Sequence, residues 1–161
     1  MFEYPFPMAS HTVDAVIYRI HREPLGLPDV QIALVERLHE PFKGSWAIVG
    51  GFFDVDRDDS LEAAARREVK EEVGTKDLKN LTQFRTYSAR DRDPRGRVIS
   101  TVFTAAVDSD TELVAGDDAK NVKWFYHQTL PKLAFDHAQI LEDIFKSRIW
   151  GSAELWNGVR I

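Results

Sequence analysis

The stretch from Asp59 to Gly74 constrains this chain more than any other, because it reads as a helix whose packing face is also its most acidic. Asp59, with Glu62 three residues on, has the spacing of an N-terminal capping pair; alanines that favour helix follow, and Gly74 is placed to end it. At about 100° per residue, Leu61, Ala64, Ala65, Val69 and Val73 share one broad face, the side that should lie on a sheet. Glu68, Glu71 and Glu72 fall on or at the edge of that face. Carboxylates spaced i, i+3 and i+4 are neighbours, and each like-charged pair costs an isolated helix about 0.2–0.5 kcal/mol. Partial burial raises the cost further unless pKa values rise or cations sit among the acids. A hard divalent ion meets that demand with oxygen ligands alone, which points to Mg²⁺ or Mn²⁺ ahead of zinc, and Mg²⁺ commonly shares its shell with substrate phosphates. Arg67, four residues before Glu71, can pair with it, while a turn at Gly50 and Gly51 lets backbone approach the same acids. The ordinary alternative is a solvated charged face, a solubility feature of many surface helices.

Composition narrows the chemistry. The 161 residues, 43% of them apolar, suit one domain with its own core, read here as a single unit over residues 1–161. There is no cysteine, so disulfides, thiolate nucleophiles and cysteine-based metal sites are excluded. The net charge of −5 disfavours a duplex nucleic acid as partner. The first residues carry an acid and two prolines instead of a basic stretch followed by an apolar run, and no apolar stretch approaches the roughly 18 residues of a membrane span. The expected compartment is the cytoplasm.

β-rich segments at Thr12–Ile20 and Val30–Arg37 flank a Pro/Gly loop, and Trp46–Val49 reads as a short strand ending at the glycine pair. Further strands are expected at Leu81–Ser88, Val98–Val107 and Val122–Phe125, and a second helix at Asp136–Ile149. Strands and helices interleave without strict alternation, which predicts a mixed or α+β sandwich.

Residues 51–75, GFFDVDRDDSLEAAARREVKEEVGT, resemble the Nudix box, G-x5-E-x7-R-E-U-x-E-E-x-G-U with U aliphatic. The catalytic half matches from Arg67 to Gly74. Upstream, seven residues instead of five separate Gly51 from the acid, that acid is Asp59 instead of Glu, and Val49 stands where many relatives have proline. Segments PFKGSWAIVGGFFDVD, SARDRDPRGRVIST, LVAGDDAKNVKWF and LAFDHAQIL look like the ADP-ribose pyrophosphatase branch, a group that also holds NAD-linked regulators. The resemblance implies an α/β/α sandwich around a mixed sheet, with Glu68, Glu71, Glu72 and the Gly50 carbonyl binding Mg²⁺ or Mn²⁺. It implies that Glu68 orients or deprotonates the attacking water and that Arg67 orients the cluster. Asp117 or Asp118 is the candidate for a further acid, Gly116-Asp117-Asp118 being equally a plain turn. Relatives of this branch are often homodimers.

A net-negative chain needs local cations to hold a polyanion, and Arg85, Arg90, Arg92, Arg95 and Arg97 cluster near one loop. Asp93-Pro94-Arg95-Gly96 reads as a turn that aims Arg95 and Arg97, and with Arg92 these are the candidate substrate-binding arginines; the alternative is pairing with Asp91 and Asp93. His137 reads as core packing at a helix start. Trp46, Phe52, Phe53 and Trp124 are candidates to line an adenine-sized pocket, or to pack in the core. The expected function is Mg²⁺-dependent hydrolysis of ADP-ribose, or of a close nucleoside diphosphate derivative, to AMP and ribose 5-phosphate. The competing expectations are a nucleotide-sensing module without turnover, disfavoured because residues 151–161 are too few for a winged helix, and a hydrolase of a nucleoside triphosphate, dinucleotide or nucleotide sugar.

Overall fold

The computed structural model describes residues 3–21, 29–116 and 119–147. Its framework is a six-stranded sheet in the order β4-β5-β1-β3-β2-β6, built from β1 (Ser10–His21), β2 (Asp29–Arg37), β3 (Trp46–Phe52), β4 (Lys79–Tyr87), β5 (Val98–Ala106) and β6 (Ala119–Tyr126). Among the six described strands the β1–β5 pairing alone is parallel, so the sheet is mixed, as expected. Strand β1 pairs with β2 at one end (Tyr18 opposite Ile32) and with β3 at the other (Asp14 opposite Gly50), so β3 is wedged into a fork between its neighbours.

The two-residue period of the strands divides the core between the faces of the sheet. Val13, Ala15, Ile17, Ala47 and Val49 pack with Ala64, Ala65, Val69 and Val73 of α1 (Leu61–Val73). Val16, Ile32, Leu34, Ile48 and Val102 pack with Ile140, Leu141 and Ile144 of α2 (His137–Ser147). The result is the expected α/β/α layering, with Glu68 buried on the inner side of α1 beside its apolar residues. Among the described residues no helix is long and apolar enough to cross a membrane.

Two local expectations are corrected. The helix is capped by Ser60, not Asp59: the Ser60 backbone is extended and its Oγ accepts the Ala63 amide at 3.1 Å. The Ser60–Ala63 spacing is that of an N-cap with N3, and it leaves Asp59 outside the helix. Strand β3 also runs through Gly50 and Gly51 instead of turning there, because Gly50, Gly51 and Phe52 continue the ladder opposite Asp14, Val13 and Thr12. Gly74 ends α1 as expected, with a left-handed φ of 76°. Of the second predicted helix, Ile149 lies outside the described residues.

The cap assignment is tested by thermal denaturation. Ser60→Ala should cost about 0.5–2 kcal/mol, several degrees at most in a chain of this size. Asp59→Ala should leave Tm nearly unchanged; the reverse ranking would return the cap to Asp59.

Candidate active site

The glycine pair of β3 is a stretch without side chains against which α1 sets its acids. A Cβ on Gly51 would lie 2.4 Å from Glu68 Oε1, and the Gly50 amide donates to Glu72 Oε2 at 2.9 Å. Glycine is needed here for close approach, not for a turn. Burial raises the Glu68 carboxyl above its ordinary value, against the pull of Arg67. Burial also pushes Glu72 up to about 8, against the Gly50 hydrogen bond, and the charges of Glu68 and Asp14 act in the same upward direction. Among the described residues no cation lies within ion-pair distance of Glu72.

Glu71 departs from the expected inward trio. Its side chain is 43% exposed, and its two oxygens are taken by Arg57 (2.9 Å) and Arg67 (3.1 Å). Partial burial works upward on its carboxyl, but the two guanidiniums outweigh it and hold it below the usual range. A position at the rim of the packing face left Glu71 free to turn outward toward the arginine on the lengthened 52–60 loop. Among the described residues no group of three or more His, Asp or Glu side chains is arranged to hold a metal ion as it stands.

Arg67 is the hub of this region. It makes a two-pronged contact with Asp58 (Nε to Oδ1 2.8 Å, Nη2 to Oδ2 2.7 Å), reaches Glu68 Oε1 at 2.6 Å and donates to the Phe52 carbonyl at 3.0 Å. Asp58 is buried and also accepts the Asp54 amide at 2.9 Å. Hydrogen bonds from Arg67, helped by that amide, hold its carboxyl down at about 2. The acid that serves Arg67 is therefore Asp58, one residue before the position matched to the box. The extended loop folds back on itself through Asp54 and delivers Asp58, while Asp59 has no such contact.

A cleft of about 170 Å³ opens beside Glu72 and the glycine pair, lined among others by Thr12, Asp14, Arg37, Arg95, Phe135 and His137. Arg95 lies 4.7 Å above the Phe52 ring and is gripped by Asp93 through both Nε (3.0 Å) and Nη2 (2.7 Å). Its sequence alternative, pairing with Asp93, and its place at the cleft thus hold together. Arg37 stacks 4.8 Å from Phe135 and, among the described residues, its side chain donates to backbone carbonyls alone, with Nε 2.7 Å from Pro41 O. Burial, and then the charge of Arg95, lower the Arg37 pKa. Phe135 is held at a left-handed φ of 52°, a strained setting for an aromatic residue, with Phe42 edge-on at 4.9 Å.

Behind the cleft lies a polar network on the α2 face. Asp14 accepts a short hydrogen bond from the Ser100 hydroxyl, and its oxygens lie 3.4 Å from His137 Nε2 and 3.8 Å from Arg92 Nη2. Arg92 is buried and clasps Asp136 with two bonds of 2.9 and 2.8 Å. It lines the cleft but is committed to the protein. Arg97 lies apart, in a shallow depression with Arg90, Asp91, Pro94 and Gly96. Arg85 pairs with Asp143 of α2. Asp117 and Asp118 lie outside the described residues. Of the aromatic candidates only Phe52 lines the cleft: Trp46 packs on Phe125, Phe53 joins the α1 core and Trp124 lies under Arg19.

Asp14, Arg37, Asp58 and Phe135 were missed. Asp14 carried a signal, as the lone acid in the β-rich run TVDAVIYRI. Arg37 and Phe135 carried none, because they meet only when the 38–45 loop and the start of α2 converge.

Residues 11–144 match the model of the NUDIX domain. The chain is 47% identical over 119 residues to an ADP-ribose pyrophosphatase of Methanocaldococcus jannaschii, covering 73% of this chain and 68% of that protein. It is 31% identical to an ADPR responsive transcriptional repressor, NtrR, of Acinetobacter baylyi, covering 89% of this chain but only 55% of that protein. The NUDIX domain of Shewanella oneidensis NrtR, solved with ADP ribose, superposes with a TM-score of 0.81 at 29% identity, covering 90% of this chain and 93% of that one.

The Asp58–Arg67 pair has a measurable signature. A carboxyl held at about 2 against an ordinary 3.8 contributes stability that is fully present above about 3.8 and is lost as pH falls toward 2. Asp58→Asn should lower stability at neutral pH by about 1–3 kcal/mol and flatten the acid limb of a urea-denaturation series. An acid limb identical to that of the parent would exclude this pair as its source.

Proposed function

Because the chain belongs to the NUDIX domain family, we propose that it is a pyrophosphohydrolase that uses Mg²⁺ or Mn²⁺ to cleave ADP-ribose with water to AMP and ribose 5-phosphate. The observation that carries this reading is the pair Glu68 and Glu72, withdrawn from water against Gly50 and Gly51, with no cation in ion-pair distance of Glu72 among the described residues. An all-oxygen pair of crowded carboxylates beside a cleft fits a hard divalent ion. Glu68 and Glu72 would hold it with the Gly50 carbonyl, and Glu71 would complete the set on release from Arg57. In such a setting a divalent ion supplies charge neutralisation on diphosphate oxygens and activation of the attacking water.

The chain's own residues do the rest. Arg67, fixed by Asp58, holds Glu68 Oε1 and leaves Oε2 to orient the attacking water and accept its proton. Arg95, clamped by Asp93 over Phe52, presents its guanidinium to the diphosphate, where a planar fork suits phosphate oxygens. Phe52, 44% exposed at the cleft, offers a face to the nucleotide. Arg97 and Asp118 are further substrate-binding candidates, and Arg92 supports the cleft wall. The setting is the cytoplasm, and the partner is a small nucleoside diphosphate derivative, not nucleic acid. A second reading, binding of ADP-ribose without turnover, is favoured by the likeness to an ADPR responsive repressor.

Incubation with Mg²⁺ and ADP-ribose, with chromatography of the products, separates the two. AMP and ribose 5-phosphate are expected from the parent. Glu72→Gln should lower kcat by about 100-fold or more, and Arg95→Ala should act mainly on KM. Saturable binding with no AMP released would favour the sensor.

A further inference from the structure

We propose that Asp14 contacts the substrate directly, accepting a hydrogen bond from a neutral donor on the nucleotide: a sugar hydroxyl or the exocyclic amine of the base. This rests on the pyrophosphohydrolase reading. Asp14 sits on β1 with its carboxylate in the cleft wall, directly opposite Gly50. A Cβ on Gly50 would come within 3.0 Å of Asp14 Oδ1, so the glycine leaves that oxygen uncovered. Protein donors do not exhaust the carboxylate. Ser100 bonds Oδ2 closely, while His137 at 3.4 Å and Arg92 at 3.8 Å are longer contacts, against roughly four acceptor sites. An acceptor-only group with spare capacity in a mostly enclosed wall costs stability unless a donor reaches it.

The chemistry selects the class of donor. A carboxylate repels phosphate oxygens; Arg92 beside it is clasped by Asp136, and the arginines that face the cleft around Phe135 are Arg37 and Arg95. Asp14 therefore faces the uncharged donors of the nucleotide. His137 is its positioning residue. The Ile48 amide donates to His137 Nδ1 at 2.9 Å, at the fork where the β1–β3 pairing has ended. A ring nitrogen that accepts carries no proton, so the proton of the neutral ring sits on Nε2, the ring atom 3.4 Å from Asp14 Oδ1. The sheet thus fixes the tautomer, which sets an N–H and not a lone pair beside the Asp14 oxygen that Ser100 leaves open.

The test compares kcat/KM for the parent and Asp14→Asn on ADP-ribose and on analogues each lacking one hydroxyl or the base amine. Asp14→Asn should lose about 10- to 100-fold on ADP-ribose and lose nothing further on the analogue missing the partner donor, which identifies that donor. A loss of the same factor on every substrate, or none on ADP-ribose, would overturn the proposal. His137→Asn can keep the acceptor for Ile48 while removing the donor toward Asp14. It should fold with a lowered Tm, since a buried ring is replaced by a smaller side chain, and show the same selective loss at smaller amplitude, and it carries the test if Asp14→Asn does not fold. Parental selectivity in His137→Asn would overturn the positioning role. Titration calorimetry with the same compounds reads the contact apart from turnover. A parent that releases no AMP fails the hydrolase reading, whereas parental affinities in Asp14→Asn fail this one.

Discussion

A carboxyl drawn out of water is costly to ionise unless a cation joins it, and Glu72, with none in ion-pair distance among the described residues, is such a group. Much of the surrounding architecture answers to it. Gly50 gives it an amide, Gly51 makes room for Glu68 next to it, and α1 lies close enough to β3 that neither glycine could take a side chain without displacing an acid or a strand. The adjoining carboxylates divide by partner: Glu68 shares Arg67, Glu71 is held at the surface by Arg57 and Arg67, and Glu72 is left to the cleft.

The cleft is polarised across its width. Arginines stacked on Phe52 and Phe135 form one side, and Asp14 with its Ser100, His137 and Arg92 supports forms another. A diphosphate ester with uncharged sugar hydroxyls is complementary to both. The same ring system also explains why a strained Phe135 is tolerated: its two guanidiniums and Phe42 hold it from several directions.

Periodicity made the helices and the alternation of the strands legible, because burial on one face leaves a trace at every turn or every second residue. It placed Ala64, Ala65, Val69 and Val73 on the core and marked Gly74 as the stop. What it could not show is where a rim residue turns. Glu71 is one helical step from Glu72, yet loop residue Arg57, distant in register, decides its direction. The choice of Asp58 over Asp59 is likewise made by the fold of an extended loop, and the Asp14–His137 contact spans the sheet from β1 to α2. The sequence alone does not separate a turn at Gly50 and Gly51 from a strand, because glycine serves both turns and close approach, and the strand pairing distinguishes them.

Whether a hard cation reconciles the Glu68–Glu72 pair is read from crystals grown with Mn²⁺ and a non-hydrolysable ADP-ribose analogue, measured at the manganese absorption edge. An anomalous peak liganded by both Glu68 and Glu72 is expected. Manganese bound elsewhere, with those two carboxylates unliganded in a well-ordered map, would contradict it.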